Sequence, residues 1–328
     1  MQVSPLAIAD RLMDATIVLG FTSVGYRIRS RDWKPTPDLG GRDVLVTGAS
    51  SGLGAGACEL LADAGARVHM LVRDLNKGEG VRSAISKRTG SGDIRLWRCD
   101  ISKQADVREF ASAFKAEVPK LDALVNNAGV MPPERLKSED GIELSFATNV
   151  TGPYLMALEL LPSLAAAAPG RVVNVSSGGM YGAKLEADDL QLEGRDYDPV
   201  RFYAHTKRCE VILTELCQER LGAQGVVFNS THPGWADTPG VQASLPGFHK
   251  VMGSLLRDAR QGADTFAWLC WASEPVARPG GFWHDRAARP IHKLPNTKES
   301  PAARERLWEE CTKLIKETTP WPATPERS

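Results

Sequence analysis

Tyr203 and Lys207 stand four residues apart in the string Tyr203-Ala204-His205-Thr206-Lys207. On a helix that spacing sets a phenol and an ammonium on one face. A free phenol, with a pKa of about 10, is a poor base at neutral pH. A cation about 4 Å away, at an effective dielectric near 20, is worth roughly 4 kcal/mol, or at most about three pKa units, which would bring the phenol towards neutrality. The pattern is short, and a Tyr and a Lys can also merely share a helix surface. Other residues supply possible partners. Val172-Val173-Asn174-Val175-Ser176-Ser177 is a β-branched run ending in two hydroxyls before Gly178-Gly179. A serine at a strand end can hydrogen-bond a substrate carbonyl or cap a turn. Strand alternation lets only one of Ser176 and Ser177 face a site. Asn149 lies within an apolar helical pattern over 144–160, where a buried amide must find partners in the core or in a proton relay. Asn126-Asn127-Ala128-Gly129 closes another apolar run with small residues that let a backbone approach a flat ligand.

These groups need a scaffold that brings them together. Asp43-Val44-Leu45-Val46 reads as a buried strand, 55–64 as a helix, and between them lies Thr47-Gly48-Ala49-Ser50-Ser51-Gly52-Leu53-Gly54. A strand that turns on glycines into a helix presents bare N–H groups and a helix N-terminus to a dinucleotide pyrophosphate. Gly48, Ser50, Ser51, Gly52, Leu53 and Gly54 are therefore candidate cofactor contacts. The glycines serve the tight turn, close approach to phosphate, and packing of helix on strand. Further strands are expected at 67–72, 93–99, 123–126, 171–176 and 225–231. Helical patterns are expected at 52–64, 77–87, 103–118, 141–168 and 200–221. Such alternation implies right-handed βαβ units, hence an α/β three-layer Rossmann fold with a doubly wound parallel sheet. Ligands in such sheets bind beyond the carboxyl ends of the strands, where these motifs fall.

Composition bounds the rest. The 328 residues carry 40 Lys and Arg against 40 Asp and Glu, so no global field favours nucleic acid. The six cysteines show no metal spacing, no metal site is expected, and a reduced, cytoplasmic setting fits them. Residues 1–41 read as an N-terminal helical extension and linker, 42–285 as the catalytic domain, and 286–328 as a tail with a surface helix. A last edge strand is expected at 280–284. Within the domain 235–258, rich in Gly and Pro, reads as a lid over the substrate. The apolar stretch 15–26 is too short for a membrane span and poor as a signal peptide. With Arg27, Arg29, Arg31 and Lys34 after it, it packs on the domain or a partner, or makes peripheral contact with a membrane.

Taken together, from Asp43 to Thr238, these motifs resemble the short-chain dehydrogenase/reductase superfamily. They comprise the glycine turn, Asn126-Asn127-Ala128-Gly129, Asn149, Ser177, Tyr203 with Lys207, and Pro233-Gly234 followed by Thr238. Ser176 to Met180, His232 to Gly240, Leu245 to His249 and Gln261 to Thr265 look, more narrowly, like its member-twelve-like group. The resemblance implies an oxidoreductase interconverting a carbonyl and an alcohol by hydride transfer. Tyr203 would be the acid/base, Lys207 would bind the nicotinamide ribose and lower the phenol pKa, Ser177 would polarise the carbonyl, and Asn149 would anchor a relay water. Asp100, Ile101, Asn127, Ala128, Gly129, Pro233, Gly234 and Thr238 would line the cofactor, unless Asp100 only caps the segment at Ser102. Acid-rich 181–199 is an insertion like that of retinol-dehydrogenase-like members.

Members preferring NAD usually carry a carboxylate at the end of the second strand. Here Val72 stands there, with Arg73 next, and a guanidinium suits a 2′-phosphate. NADP(H) is therefore expected over NAD, unless Arg73 is a surface cation paired with Asp74. Trp235, Leu245, Phe248, Val251, Met252 and Leu255 give the lid an apolar face suited to a small lipophilic substrate, or to packing on the domain. Relatives associate through the helices carrying Asn149 and Tyr203, which implies a homo-oligomer. The competing reading is a nucleotide-bound regulatory or scaffolding protein with little turnover.

Overall fold

The computed structural model describes residues 17–244 and 246–316. Eight strands form one sheet in the order β3-β2-β1-β4-β5-β6-β7-β8. They are β1 (Asp43–Thr47), β2 (Arg67–Val72), β3 (Ile94–Arg98), β4 (Ala123–Asn126), β5 (Gly170–Val175), β6 (Val226–Thr231), β7 (Phe282–His284) and β8 (Ala287–Arg289). All neighbours are parallel except β7 and β8. The principal helices are α1 (Ser23–Arg29), α2 (Gly52–Asp63), α3 (Leu75–Thr89), α4 (Gln104–Glu117), α5 (Gly152–Glu159), α6 (Pro199–Leu221), α7 (Ala259–Leu269) and α8 (Pro301–Leu314).

The central strands are continuous apolar runs because both faces are covered. One face packs Cys58 and Leu61 of α2, Ile85 of α3 and Phe266 of α7 against Val44, Val46, Val68 and Val125. The other packs Phe110 and Phe114 of α4, Leu155 of α5, Ile212 and Leu216 of α6 and Leu307 of α8 against Leu45, Leu124 and Val172. Each such side chain contributes roughly 1.5–3 kcal/mol on burial. The chain reverses direction in the sheet between β1 and β4, so a crevice opens at their carboxyl ends.

Three expectations are corrected. The helix expected over 141–168 is broken into Leu144–Phe146, a π-turn at Ala147–Thr151, α5, and a further short helix at Leu161–Ala165. Gly152 lies so close to Ile101 that a Cβ would stand 2.2 Å from its carbonyl oxygen, and Pro153 carries no N–H to continue a regular ladder. The strand at 282–284 is not the edge, because β8 pairs antiparallel to it. A division at 285 consequently falls inside this hairpin, whose turn holds Asp285 and Arg286 at φ of 51° and 53°.

Residues 17–32 pack on the domain. The carbonyl of Gly20 accepts from Arg257 (2.9 Å) and Arg29 (3.1 Å), and that of Phe21 from the Trp235 N–H (2.8 Å). Both arginines also pair with buried Asp285. Residues 1–16 of the expected amphipathic segment lie outside the described residues. Among the described residues no helix is long and apolar enough to cross a membrane. All six cysteines are free and buried.

Candidate active site

The first wall is the turn between β1 and α2. Gly48 and Gly52 have φ of 67° and 52°, a region costly for a residue with a Cβ. A Cβ on Gly48 would also stand 2.8 Å from the Ala128 Cα, and one on Gly54 2.4 Å from the Gly48 oxygen. The cradle is thus one that side chains would fill, open at the N-terminus of α2, and it fits a pyrophosphate. Ser50, Ser51 and Leu53 are half-buried around it. Thr238 faces it, its side chain 3.5 Å from the position a Cβ on Gly52 would take. Pro233 and Gly234 (φ 77°) lead to Thr238, and Gly234 lies against the Arg257 guanidinium.

Sequence reasoning passed over the role of Thr47. Its hydroxyl oxygen accepts from the N–H groups of Asn127 and Ala128, each at 3.0 Å, and its carbonyl accepts from the Asn127 side chain at 2.9 Å. These bonds fasten the end of β4 to the end of β1. Gly129 follows, placed so that a Cβ would stand 3.3 Å from Asn149 Oδ1 and 3.7 Å from Lys207 Nζ.

Asn149 lies in the π-turn, fully buried. Its Oδ1 accepts from the Val130 N–H (2.9 Å), and its amide donates to the Val130 carbonyl (3.1 Å) and the Thr206 hydroxyl (3.0 Å). The amide side chain is therefore a brace between the loop after β4 and α6. Thr206 in turn donates to the Tyr203 carbonyl (2.8 Å).

The hydroxyls of Ser176 and Ser177 part company. Ser176 is buried and donates to the Lys207 carbonyl at 2.8 Å, whereas Ser177 is half-buried and accepts only a long bond from Gly179 N–H, 3.3 Å. Ser177 thus carries the less constrained of the two hydroxyls. Tyr203, half-buried, and Lys207, buried, lie in the second and third turns of α6, which Asp198 caps by accepting from Val200 and Arg201 N–H.

Lys207 is more constrained than its spacing from Tyr203 suggests. Its ammonium donates to the Val175 carbonyl (2.8 Å) and to Glu210 Oε2 (2.8 Å), and lies 5.7 Å from the centre of the Tyr203 ring. Burial pushes the Tyr203 phenol up, Lys207 pulls it down and Glu210 pushes it up again, and the net direction is upward. The expected lowering by Lys207 is present but outweighed. Burial disfavours the Lys207 ammonium, and Glu210 more than restores it. Burial likewise pushes the Glu210 carboxyl up to about 7 against the pull of Lys207. Glu210 was legible as an i,i+3 partner of Lys207 but was not singled out.

At the far end of the crevice Arg73 is exposed after β2. The Asp74 carboxylate accepts from the Lys77 N–H (3.1 Å), capping α3 rather than pairing with Arg73. Asp100 turns back on Ser102, accepting from its N–H (3.0 Å) and hydroxyl (2.7 Å), while Ile101 is buried beside it. In the lid, Val251 is 78% exposed and Leu255 39%, so these two do not pack on the domain. Leu245 lies outside the described residues. Among the described residues no cluster of three or more His, Cys, Asp or Glu could hold a metal.

Fold and crevice together define a nucleotide-binding α/β protein of the Rossmann type. Residues 42–187 match the family model described as short chain dehydrogenase. The chain is 40% identical to the Bos taurus dehydrogenase/reductase SDR family member 12, over 90% of this chain and 94% of that one. It is 34% identical to human retinol dehydrogenase 12, over 84% and 87%. The solved complex of Pseudomonas aeruginosa RhlG with NADP superposes with a TM-score of 0.63 at 25% identity, over 76% of this chain and 96% of that one. The chain belongs to the short-chain dehydrogenase/reductase family and is an NAD(P)-dependent oxidoreductase acting on CH–OH or C=O groups.

Proposed function

We propose that the protein is an NADP(H)-dependent oxidoreductase that interconverts a small lipophilic carbonyl compound and its alcohol. The observation that supports this reading most is that Lys207 lies 5.7 Å from the centre of the Tyr203 ring and 3.7 Å from where a Cβ on Gly129 would stand, on the loop that Thr47 fastens to the glycine turn, with Asn149 bracing that loop. The cofactor, when bound, supplies or accepts the hydride. Gly48, Ser50, Ser51, Gly52, Leu53, Gly54 and Thr238 hold its phosphates. Asp100, Ile101, Asn127, Ala128, Gly129, Pro233 and Gly234 flank the nucleoside parts. Ser177 donates to the carbonyl oxygen and orients it. Tyr203 gives that oxygen its proton in reduction and takes it back in oxidation. Lys207 has two of its three N–H bonds committed to Val175 and Glu210, and the third is available to a ribose hydroxyl.

The choice of NADP(H) rests on Arg73, exposed where a carboxylate would suit NAD. Charge-assisted bonds to a 2′-phosphate are worth about 1.5–3 kcal/mol, so Arg73→Ala should weaken NADPH binding about 10- to 100-fold and leave NADH nearly unchanged. Energy transfer from the tryptophans to the reduced nicotinamide measures both. Equal affinities of the parent protein for NADPH and NADH would sink the assignment. The lipophilic substrate rests on the exposed apolar residues of the lid and on the retinol dehydrogenase likeness.

The regulatory alternative draws on one observation, the neutralisation of Lys207 by Glu210. Turnover that survives neither Tyr203→Phe nor Ser177→Ala separates an enzyme from a binding protein. Peripheral membrane contact rests on exposed Leu19 and Val24 beside Arg27 and Arg31. Flotation with anionic vesicles tests it.

A further inference from the structure

The Lys207–Glu210 ion pair is buried on both sides, 3% and 4% exposed, at 2.8 Å. A carboxylate there is costly unless it does something, because burial of an ion pair seldom stabilises a fold over apolar residues. Among the described residues no other element brings a charge to it. Val175 of β5 offers a carbonyl to the ammonium. Beside Glu210 lies a small cavity of about 20 Å³, lined among others by Tyr154 of α5, Asn174 of β5, Cys217 of α6 and Phe228 of β6. That volume accommodates about one water molecule. The titratable groups around Glu210 are therefore Lys207 and Tyr203 on its own helix, Cys217 further along it, and Tyr154 across the cavity. Tyr154 and Cys217 both stay neutral, since burial pushes both up.

We propose that Glu210 is a positioning residue that neutralises Lys207 and so keeps Tyr203 a phenol, poising the site to deliver a proton to a carbonyl oxygen rather than to remove one from an alcohol. The inference rests on Tyr203 as the acid/base. In the reduction so favoured, a hydride with its electron pair passes from NADPH to the carbonyl carbon, the C=O π bond breaks, and the phenol proton passes to the oxygen. The products are alcohol, NADP⁺ and a phenolate that regains a proton from water. An ammonium with no carboxylate beside it would stabilise the phenolate and favour the reverse step. Glu210 cancels much of that field, and its own protonation restores it. Direction of catalysis is thus coupled to a side chain that touches neither substrate nor cofactor.

The test uses the protein without cofactor or substrate. Phenolate at position 203 is read as the near-ultraviolet absorbance difference, titrated from neutral to strongly alkaline pH, between each protein and its Tyr203→Phe counterpart. Glu210→Gln should ionise Tyr203 at a pH lower by about one unit than the parent protein. Glu210→Asp, which keeps the charge, should behave as the parent does. In a carbonyl reduction assay the alkaline limb of the Glu210→Gln profile should move down with it. A folded Glu210→Gln protein whose phenol titrates like the parent's would overturn the proposal, and so would an Asp variant that shifts as far as Gln. Should Glu210→Gln fail to fold, Glu210→Met, equally uncharged, takes its place and should show the same downward shift, and an unshifted titration in it would overturn the proposal. A protein that turned over no carbonyl would defeat the enzymatic reading and leave this titration intact.

Discussion

At the scale of residues, two adjacent serines carry the sharpest contrast. Ser176 and Ser177 have the same chemistry and differ only in which side of β5 they leave. Ser176→Ala removes a buried bond to the Lys207 carbonyl and should cost about 0.5–1.5 kcal/mol of stability. Ser177→Ala removes a hydroxyl bound only loosely to Gly179 and should cost almost no stability, but at least about 100-fold in turnover if it polarises the carbonyl. Urea denaturation and steady-state rates on the two variants check this. A reversed pattern would mean that the wrong hydroxyl has been assigned. The sequence alone left this pair open because alternation says that one must face inward without saying which. Asn149 shows the opposite limit: its burial was predictable, but its service as a brace between Val130 and Thr206 depends on three distant segments meeting. Glu210 lies one helical turn beyond Lys207, outside the Tyr–Lys spacing itself, so that spacing does not reveal the charge that decides what Lys207 can do.

Among the elements, those that position the site were legible because each obeys a local rule. The glycine turn reads from φ-permissive residues between an apolar run and a helical one, and β1, β2, β4, β5 and β6 read from β-branched apolar strings. What was not legible arises from contact between elements. The π-turn under Asn149 exists because α5 must approach Ile101 at Gly152. The C-terminal helix α8 looked like a surface helix, yet it buries Leu307, Trp308 and Cys311 against α5 and α6. Trp308 meets the Tyr154 ring at 5.3 Å and lies 4.4 Å under the Arg220 guanidinium, and Arg304 pairs with Glu215. The expected homo-oligomer would use these same two helices, whose outer side α8 now covers. We expect the full chain to sediment as a monomer at micromolar concentration. Trp308→Asp, which should loosen α8, is expected to promote association. A stable dimer of the parent protein that Trp308→Asp dissociates would show that α8 builds an interface instead of masking one.

For the molecule as a whole, the zero net charge conceals a set of groups that titrate together. His69, His205, His232 and His284 are all buried, and burial pushes each imidazole below its ordinary value of 6.5, His205 and His284 to about 4. They serve unrelated parts of the fold. His69 bonds Asp43 and Trp97 in the sheet, His205 accepts from Glu186 N–H, and His232 stacks on His284 at 3.9 Å beneath the N-terminal segment. The unfolded chain protonates each near 6.5 and the folded chain does not. Stability from these groups is therefore fully present above 6.5 and is lost as pH falls towards 4, by up to about 1.4 kcal/mol per pH unit for each histidine. Carboxylates alone would begin to weaken the fold only near their own range, about 4. The urea midpoint should hence be nearly flat between pH 8 and 7 and fall from about pH 6.5 downward, with the raised Glu210 carboxyl, which gains its proton first in the folded chain, offsetting about one histidine's share. His205→Gln, which stays neutral, should reduce that slope by about one proton's worth. A midpoint constant to pH 5 would mean that the histidines are protonated in the folded state, and that the contacts holding the N-terminal segment on the domain tolerate charge.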